Sequence, residues 1–280
     1  MPTIADKRRA FRRLHESGCF VIPNPWDVGS ARYLQGLGFK ALATTSAGFA
    51  FTQGFADGNF SRDLALAHCG ELAAATVVPL NVDYEGGYAD DPAGVAESVR
   101  LCVETGIAGL SIEDSTGDPA QPLYDFDLAL ARVKAARAAI DKAGGDVVFT
   151  ARSEGFVRNR PDLAETVRRM QAFAAAGADC LYAPGIKTRE EIAAVVKAVA
   201  PKPVNFLMVS ATNFSVSDLA AMGVRRISTG GTLARTAWTG FIRAAREIAE
   251  QGTFKNFDGT IPNAELNAFF RDDRKARAAS

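Results

Sequence analysis

The chain has 280 residues, 48% hydrophobic and 23% charged, enough to bury a large core and also the length of one closed α/β barrel. Lys+Arg and Asp+Glu both number 32, so no net field recruits nucleic acid or an anionic membrane, and specificity must come from local sites. No run of about 18 apolar residues occurs and the basic start MPTIADKRRAFRRLHESG has no apolar segment behind it, so a cytoplasmic protein is expected.

Short apolar runs rich in β-formers recur at 19–22, 40–46, 77–83, 107–113, 146–152, 178–183, 203–208 and 224–229. They are continuous rather than alternating, as expected of strands covered by helices on one side and filled by side chains on the other. After the first run stands NPWDVGSA, not the G-x-G-x-x-G of a doubly wound nucleotide-binding sheet. The second run ends in Thr44-Thr45-Ser46 and the third in Asp83-Tyr84-Glu85-Gly86-Gly87. Asp91 and Pro92 then open a helix that Gly106 stops, and the fourth run ends in Glu113-Asp114. The fifth ends in Arg152-Ser153-Glu154; Pro161 opens the helix that follows, and Thr188-Arg189-Glu190-Glu191 is a capping box for the next one. Strand and helix alternate eight times, which predicts an α/β fold closed as a (β/α)₈ TIM barrel. The expected organisation is one barrel domain over 1–280, with 250–280 as a helical extension. Its segment 262–276 places Leu266, Phe269 and Phe270 on one side, surplus to eight units and suited to packing on another subunit.

In a barrel the carboxyl ends of the strands converge on one mouth, so the polar residues that end each strand carry the chemistry. Asp83 and Glu85 are two apart and share a side in extended geometry; Glu113 on the neighbouring strand adds a third carboxylate. Such a cluster repels itself unless a cation neutralises it, and carboxylates without His or Cys suit Mg²⁺, or Mn²⁺. A 2-oxo acid offers two chelating oxygens, and Arg152 can bond its carboxylate or a developing enolate oxygen. Taken singly, each acid could equally cap a helix or pair with a surface base. His15 and His68 are isolated, and Cys19, Cys69, Cys102 and Cys180 lie singly in apolar runs, so neither a zinc site nor a disulfide is expected. Tyr124 and Tyr182 are candidates to move a proton, although a tyrosine in a barrel commonly serves packing, and Ser115 is a weaker candidate. Ser228-Thr229-Gly230-Gly231-Thr232 stands where many barrels cradle phosphate, though tight turn geometry also explains its glycines.

VDYEGGY, then SIEDS, then TARSEG, together with IPNPWDVGSARYLQGLGFKALATTSAG and GFADG, resemble the phosphoenolpyruvate mutase/isocitrate lyase superfamily over roughly residues 10–250. The resemblance implies a barrel whose last helix is exchanged between paired subunits, as a homodimer or homotetramer, and Mg²⁺ at the mouth. By position, Asp83, Glu85 and Glu113 match the family's metal-site acids, which hold the ion largely through water, with Glu85 where many members have Asp. Thr45, Ser46 and Ala47 match the turn that binds the substrate carboxylate. Asp57 matches an acid near the metal waters, Arg152 the substrate-binding arginine, and Asn205 a pocket amide.

One departure restricts the chemistry. Isocitrate and methylisocitrate lyases carry Lys-x-Cys-Gly-His after the fourth strand, whereas this chain has SIEDSTGDPAQPLYDFD, without Lys, Cys or His. The lysine and asparagine gate of phosphonate-handling members is absent too. Segment 114–124, with Gly117, Pro119 and Pro122, still suits a mobile lid. The expected activity is Mg²⁺-dependent carbon–carbon cleavage or decarboxylation of a small 2-oxo acid or malate-type dicarboxylate through an enolate. The alternatives are phosphonopyruvate-type P–C chemistry, a 2-oxo acid binder without catalysis, and a phosphosugar barrel.

Overall fold

In the computed structural model, residues 2–278 are described. Helix α1 (Ile4–Leu14) precedes β1 (Phe20–Ile22), α2 (Val28–Gly36), β2 (Leu42–Ala43), α3 (Ser46–Thr52), α4 (Arg62–Ala75) and β3 (Leu80–Asp83). The alternation continues through α5 (Pro92–Glu104), β4 (Gly109–Glu113), α6 (Phe126–Lys142), β5 (Val148–Arg152), α7 (Leu163–Ala175) and β6 (Cys180–Tyr182). Then come α8 (Arg189–Val199), β7 (Val204–Leu207), α9 (Val216–Ala221), β8 (Arg226–Ser228), α10 (Thr232–Gln251) and α11 (Asn263–Ala278).

All pairings are parallel, in the order β1-β8-β7-β6-β5-β4-β3-β2. The remaining seam is crossed by the bond from Ala43 N–H to the Pro23 carbonyl at 3.0 Å, which leaves a nearly closed (β/α)₈ barrel. Each strand is shorter than its apolar run. Two of the helix signals act as read: Asp91 accepts from Ala93 and Gly94 N–H ahead of Pro92, and Thr188 and Glu191 form a capping box, whereas Pro161 lies one residue before Asp162, which caps α7 by accepting from Glu165 N–H. Between strands and helices lies a core of fully buried side chains that includes Leu42, Leu80, Leu110, Phe149, Leu181 and Phe173.

Helix α1 closes the amino-terminal end of the barrel. Phe11 is fully buried against Ile22, Ala41, Ala43, Ala108 and Val148. Its ring occupies the place a side chain at Gly109 would take, since a Cβ there would lie 2.5 Å from Phe11. At the other extreme of the chain, α11 docks on α2. Phe269 fills the space left by Gly36, where a Cβ would fall 2.5 Å from the ring, and Arg32 makes a buried bidentate pair with Asp273. Helix α10 leaves Trp238, Phe241 and Ile242 exposed.

Candidate active site

The carboxyl ends of the strands open into a cavity of about 710 Å³. Arg152, the last residue of β5, sits at its centre. Its Nη1 donates to Asp83 Oδ1 at 2.6 Å, its Nε to Glu154 Oε1 at 2.9 Å, and its Nη2 lies 3.1 Å from Glu113 Oε2. Burial opposes a charge here, but Glu154, Glu113 and Asp83 outweigh it and hold the guanidinium firmly protonated. The Tyr182 ring lies beneath, 5.0 Å from the guanidinium carbon.

Asp83 is fixed from two more sides: its N–H donates to Thr44 Oγ1 at 2.9 Å, and its Oδ2 accepts from the Ser46 hydroxyl and N–H at 3.2 and 3.3 Å. Thr45 caps α3, accepting from Gly48 N–H, so Thr45, Ser46 and Ala47 all line the mouth. Glu113 is buried at the end of β4 and also pairs with Arg158 at 3.1 Å; burial pushes its carboxyl above the usual range against the pull of both arginines. Asp57 stands at the rim, its carboxyl raised by burial and by Asp83.

Glu85 is the least compensated member. It follows β3 in the left-handed region, φ 46, in a turn closed by Gly87 N–H to the Tyr84 carbonyl at 2.8 Å. For a residue with a Cβ that conformation costs roughly 1–2 kcal/mol. Its Oε1 is buried and has no hydrogen-bond partner. Burial, then Asp83, Glu113 and Asp57, pushes its carboxyl up to about 8. Among the described residues no three His, Cys, Asp or Glu side chains are grouped as a ready-made ion cage. An orphaned carboxylate oxygen amid like charges fits a hard cation, reached in part through water.

All the residues expected at the site line this cavity, but two direct their polar atoms elsewhere. Tyr124 donates its hydroxyl to Asp90, and burial followed by that bond pushes its pKa up to about 12. Asn205 donates to Ser228 Oγ at 2.9 Å and accepts from Arg226 Nε at 2.8 Å, so its amide knits the cavity floor. Burial, then opposed by Arg152 and Ser228, raises Tyr182. The 228–232 turn is tied to the exit of β1 by Thr229 N–H to Asn24 Oδ1 at 2.8 Å, and Gly230 has φ 51. Backbone geometry therefore calls for glycine at 230 whether or not phosphate binds, whereas Gly231, at φ −72, has an ordinary conformation.

Sequence reading missed four cavity residues. Glu154, almost fully buried, has its carboxyl pushed up to about 8 by burial, although Arg152 pulls the other way. Arg158 and Asp90 come from loops whose course no periodicity reveals, and Arg226 is the first residue of β8. The only available signal was position, Glu154 standing two residues after a strand-end arginine. The lid is compact: Ser115 and Leu123 bridge antiparallel, and Thr116 N–H donates to the Pro122 carbonyl at 3.1 Å. Asp114 anchors its base, accepting from Glu154 N–H at 2.8 Å and Arg169 at 3.1 Å.

A barrel whose strand ends hold buried acids around one arginine defines an α/β-barrel enzyme with a polar, acid-lined mouth. The phosphoenolpyruvate phosphomutase family model matches residues 11–249, and the chain belongs to that family, within the phosphoenolpyruvate mutase/isocitrate lyase superfamily of carbon–carbon lyases and mutases. An oxaloacetate decarboxylase of Paraburkholderia xenovorans is 31% identical over 239 residues, covering 79% of this chain and 74% of the relative. A provisionally assigned lyase/mutase of Burkholderia cenocepacia J2315 superposes with TM-score 0.92 at 45% identity, covering 96% and 97% of the two chains. Oxaloacetate acetylhydrolase in complex with its product oxalate superposes with TM-score 0.85 at 25% identity, over 98% of each chain. Magnesium occurs within the superfamily: a phosphonopyruvate hydrolase complex, TM-score 0.84 and 25% identical over 97% of each chain, holds oxalate and Mg²⁺. Among the described residues no helix is long and apolar enough to cross a membrane.

Proposed function

We propose that the chain is a Mg²⁺-dependent lyase that cleaves a carbon–carbon bond next to the 2-oxo group of a small acid, decarboxylation of an oxaloacetate-like substrate included. The observation that carries this reading is the buried, partnerless Oε1 of the half-buried Glu85 beside Asp83 and Glu113, with Arg152 among them. Asp83, Glu85 and Glu113 would hold the ion, largely through water. When bound, Mg²⁺ supplies positive charge to the oxygens of the 2-oxo acid.

The chain's own groups account for the rest. The Thr45–Ala47 turn would take the substrate carboxylate, the Ser46 hydroxyl and N–H exchanging Asp83 Oδ2 for it once Asp83 turns to the ion, with Asp57 at the rim. Arg152 is fixed by three carboxylates before substrate arrives, so it can face charge gathering on the 2-oxo oxygen without reorganising. When the bond to the leaving carboxylate breaks as CO₂, its electron pair passes toward that oxygen, and the carbon left behind must take a proton. Tyr124 directs its hydroxyl proton at Asp90, which leaves Tyr182, beside Arg152, as the tyrosine suited to transfer it. Asn205 shapes the floor.

We assign residues 1–280 to one barrel unit with 250–280 as its extension. The helix proposed to be exchanged with a second copy, in a homodimer or homotetramer, is the C-terminal one of this extension, and the exposed Trp238, Phe241 and Ile242 of α10 supply apolar surface for such pairing. The test is release of CO₂ from oxaloacetate, of a 2-oxo acid from substituted malates and of phosphate from phosphonopyruvate, each with Mg²⁺ and with chelator. Metal-dependent loss of CO₂ or cleavage of a malate is expected. Phosphate release from phosphonopyruvate alone would replace the reading by P–C chemistry, and metal-dependent oxalate binding without any turnover would make the protein a binder.

A further inference from the structure

Arg132, on α6, is almost completely buried and forms no ion pair with a carboxylate among the described residues. A buried guanidinium with no carboxylate in direct contact is costly; Asp90, Asp91 and Asp114 act on it only through space and its Nε has no partner, so the bonds of its two Nη atoms have to offset the burial. They converge on one segment: Nη1 donates to the carbonyls of Ala89 and Asp90, and Nη2 to the carbonyl of Gly86. That segment joins β3 to α5 and contains three residues in the left-handed region, Glu85 (φ 46), Gly87 (φ 77) and Tyr88 (φ 55), two of them with a Cβ. Such backbone persists only where its surroundings over-determine it.

The other face of Arg132 lies over the ring of Tyr124, 4.0 Å from its centroid, and the Tyr124 hydroxyl returns to the Asp90 side chain. Tyr124 ends the lid: its N–H donates to the Asp114 carbonyl at 3.0 Å, directly after the Ser115–Leu123 bridge. One buried side chain therefore grips the strained loop that presents Glu85 and the base of the lid together.

We infer that Arg132 is a positioning residue, a brace that fixes the 84–91 loop in its left-handed course and fastens it to the base of the 115–124 lid. It lies away from the cavity, and acts through Glu85 and Tyr124. The inference rests on the reading of Glu85 as a metal-site acid only for its effect on Mg²⁺; its structural part stands independently.

The experiment uses the full chain. Hydrogen exchange by mass spectrometry is followed in peptides covering 84–91 and 115–124 and in a distant control over β7, and Mg²⁺ alone is titrated by calorimetry. Arg132→Met, which keeps the apolar stem, is expected to speed exchange at least about tenfold in both segments and not in β7. It should also weaken Mg²⁺ binding about tenfold or more, the range typical for groups that orient metal ligands. Arg132→Lys, which keeps a cation but not the planar fork, should recover part of both effects. Should Arg132→Met fail to fold, Tyr124→Phe removes one bond of the brace and is expected to speed exchange in both segments more modestly.

Wild-type exchange in 84–91, or acceleration spread evenly through the barrel, overturns the brace, as does acceleration confined to 115–124 in Tyr124→Phe. If the wild-type protein binds no Mg²⁺, the metal reading fails while the exchange data still decide on Arg132.

Discussion

At the amino-terminal end of the barrel Lys7 reaches the Ala73 and Thr76 carbonyls, Arg8 the Ile107 and Val103 carbonyls and Asp146, and Arg12 Asp179 and the Gly145 carbonyl. At the carboxyl end Asp57, Asp83, Glu85, Glu113 and Glu154 face Arg152 and Arg158, and one carboxylate oxygen has no partner. The same eight strands thus end once in a neutralised, apolar-plugged face and once in an excess of like charge. The proposed Mg²⁺ would offset that excess, and on that reading the first end serves stability and the second binding.

Substitutions should separate the two ends. The largest effect is expected for Asp83→Ala, which should weaken Mg²⁺-dependent oxalate binding and turnover by about 100-fold while the thermal midpoint barely falls. Unchanged binding would remove the metal reading. Next comes Phe11→Ala, which empties the plug and should cost about 3–5 kcal/mol in urea unfolding, with activity per folded molecule retained. A folded variant that loses Mg²⁺ binding would show the ends to be coupled.

Glu85→Gln tests the opposite sign. At pH 9 in chelator, where the carboxyl is ionised among like charges, it should raise stability by about 1 kcal/mol yet weaken Mg²⁺ binding. A loss of stability there would mean that Glu85 has a compensating partner.

The smallest effect concerns His15. Burial, then Arg226, lowers its pKa to about 3, so the folded state keeps the ring neutral, with Nε2 3.3 Å from Arg226 Nη1. A folded-state pKa below the unfolded 6.5 means stability that is complete above pH 6.5 and is lost as the pH falls toward 3. Thermal melts from pH 7 to 4 should therefore fall less steeply in His15→Gln, whose amide cannot be protonated in this range. An unchanged acid slope would assign the acid sensitivity to other groups, such as His68, held near 4 by burial.

The barrel was legible because parallel strands covered on both sides are unbroken apolar runs, and because Asp91-Pro92 and Thr188-x-x-Glu191 announce their helices locally. Asp83, Glu85, Glu113 and Arg152 were legible because strand ends are fixed once strands are found. Glu154 and Arg158 pack onto the same cluster from a loop, and Arg132 from a helix face that reads as ordinary amphipathic surface. Their roles depend on burial of charge, which spacing does not encode. The part of α1 was hidden for a similar reason: KRRAFRR reads as a solvated basic helix until the carbonyls that its cations reach are in place. Tyr124 and Asn205 were found, but which atom their polar groups face is set by partners far away in the chain, Asp90 and Arg226.

The contact between His15 and Arg226 joins the first helix to the eighth strand, across 211 positions of chain. During synthesis the floor of the cavity therefore remains without Arg226 until just over four-fifths of the polypeptide has been made, and β1 stays without its β8 neighbour for equally long. Closure is a late event, made by two segments that leave the ribosome at opposite ends of translation, and a chain truncated before Arg226 exposes an unpaired strand at the seam.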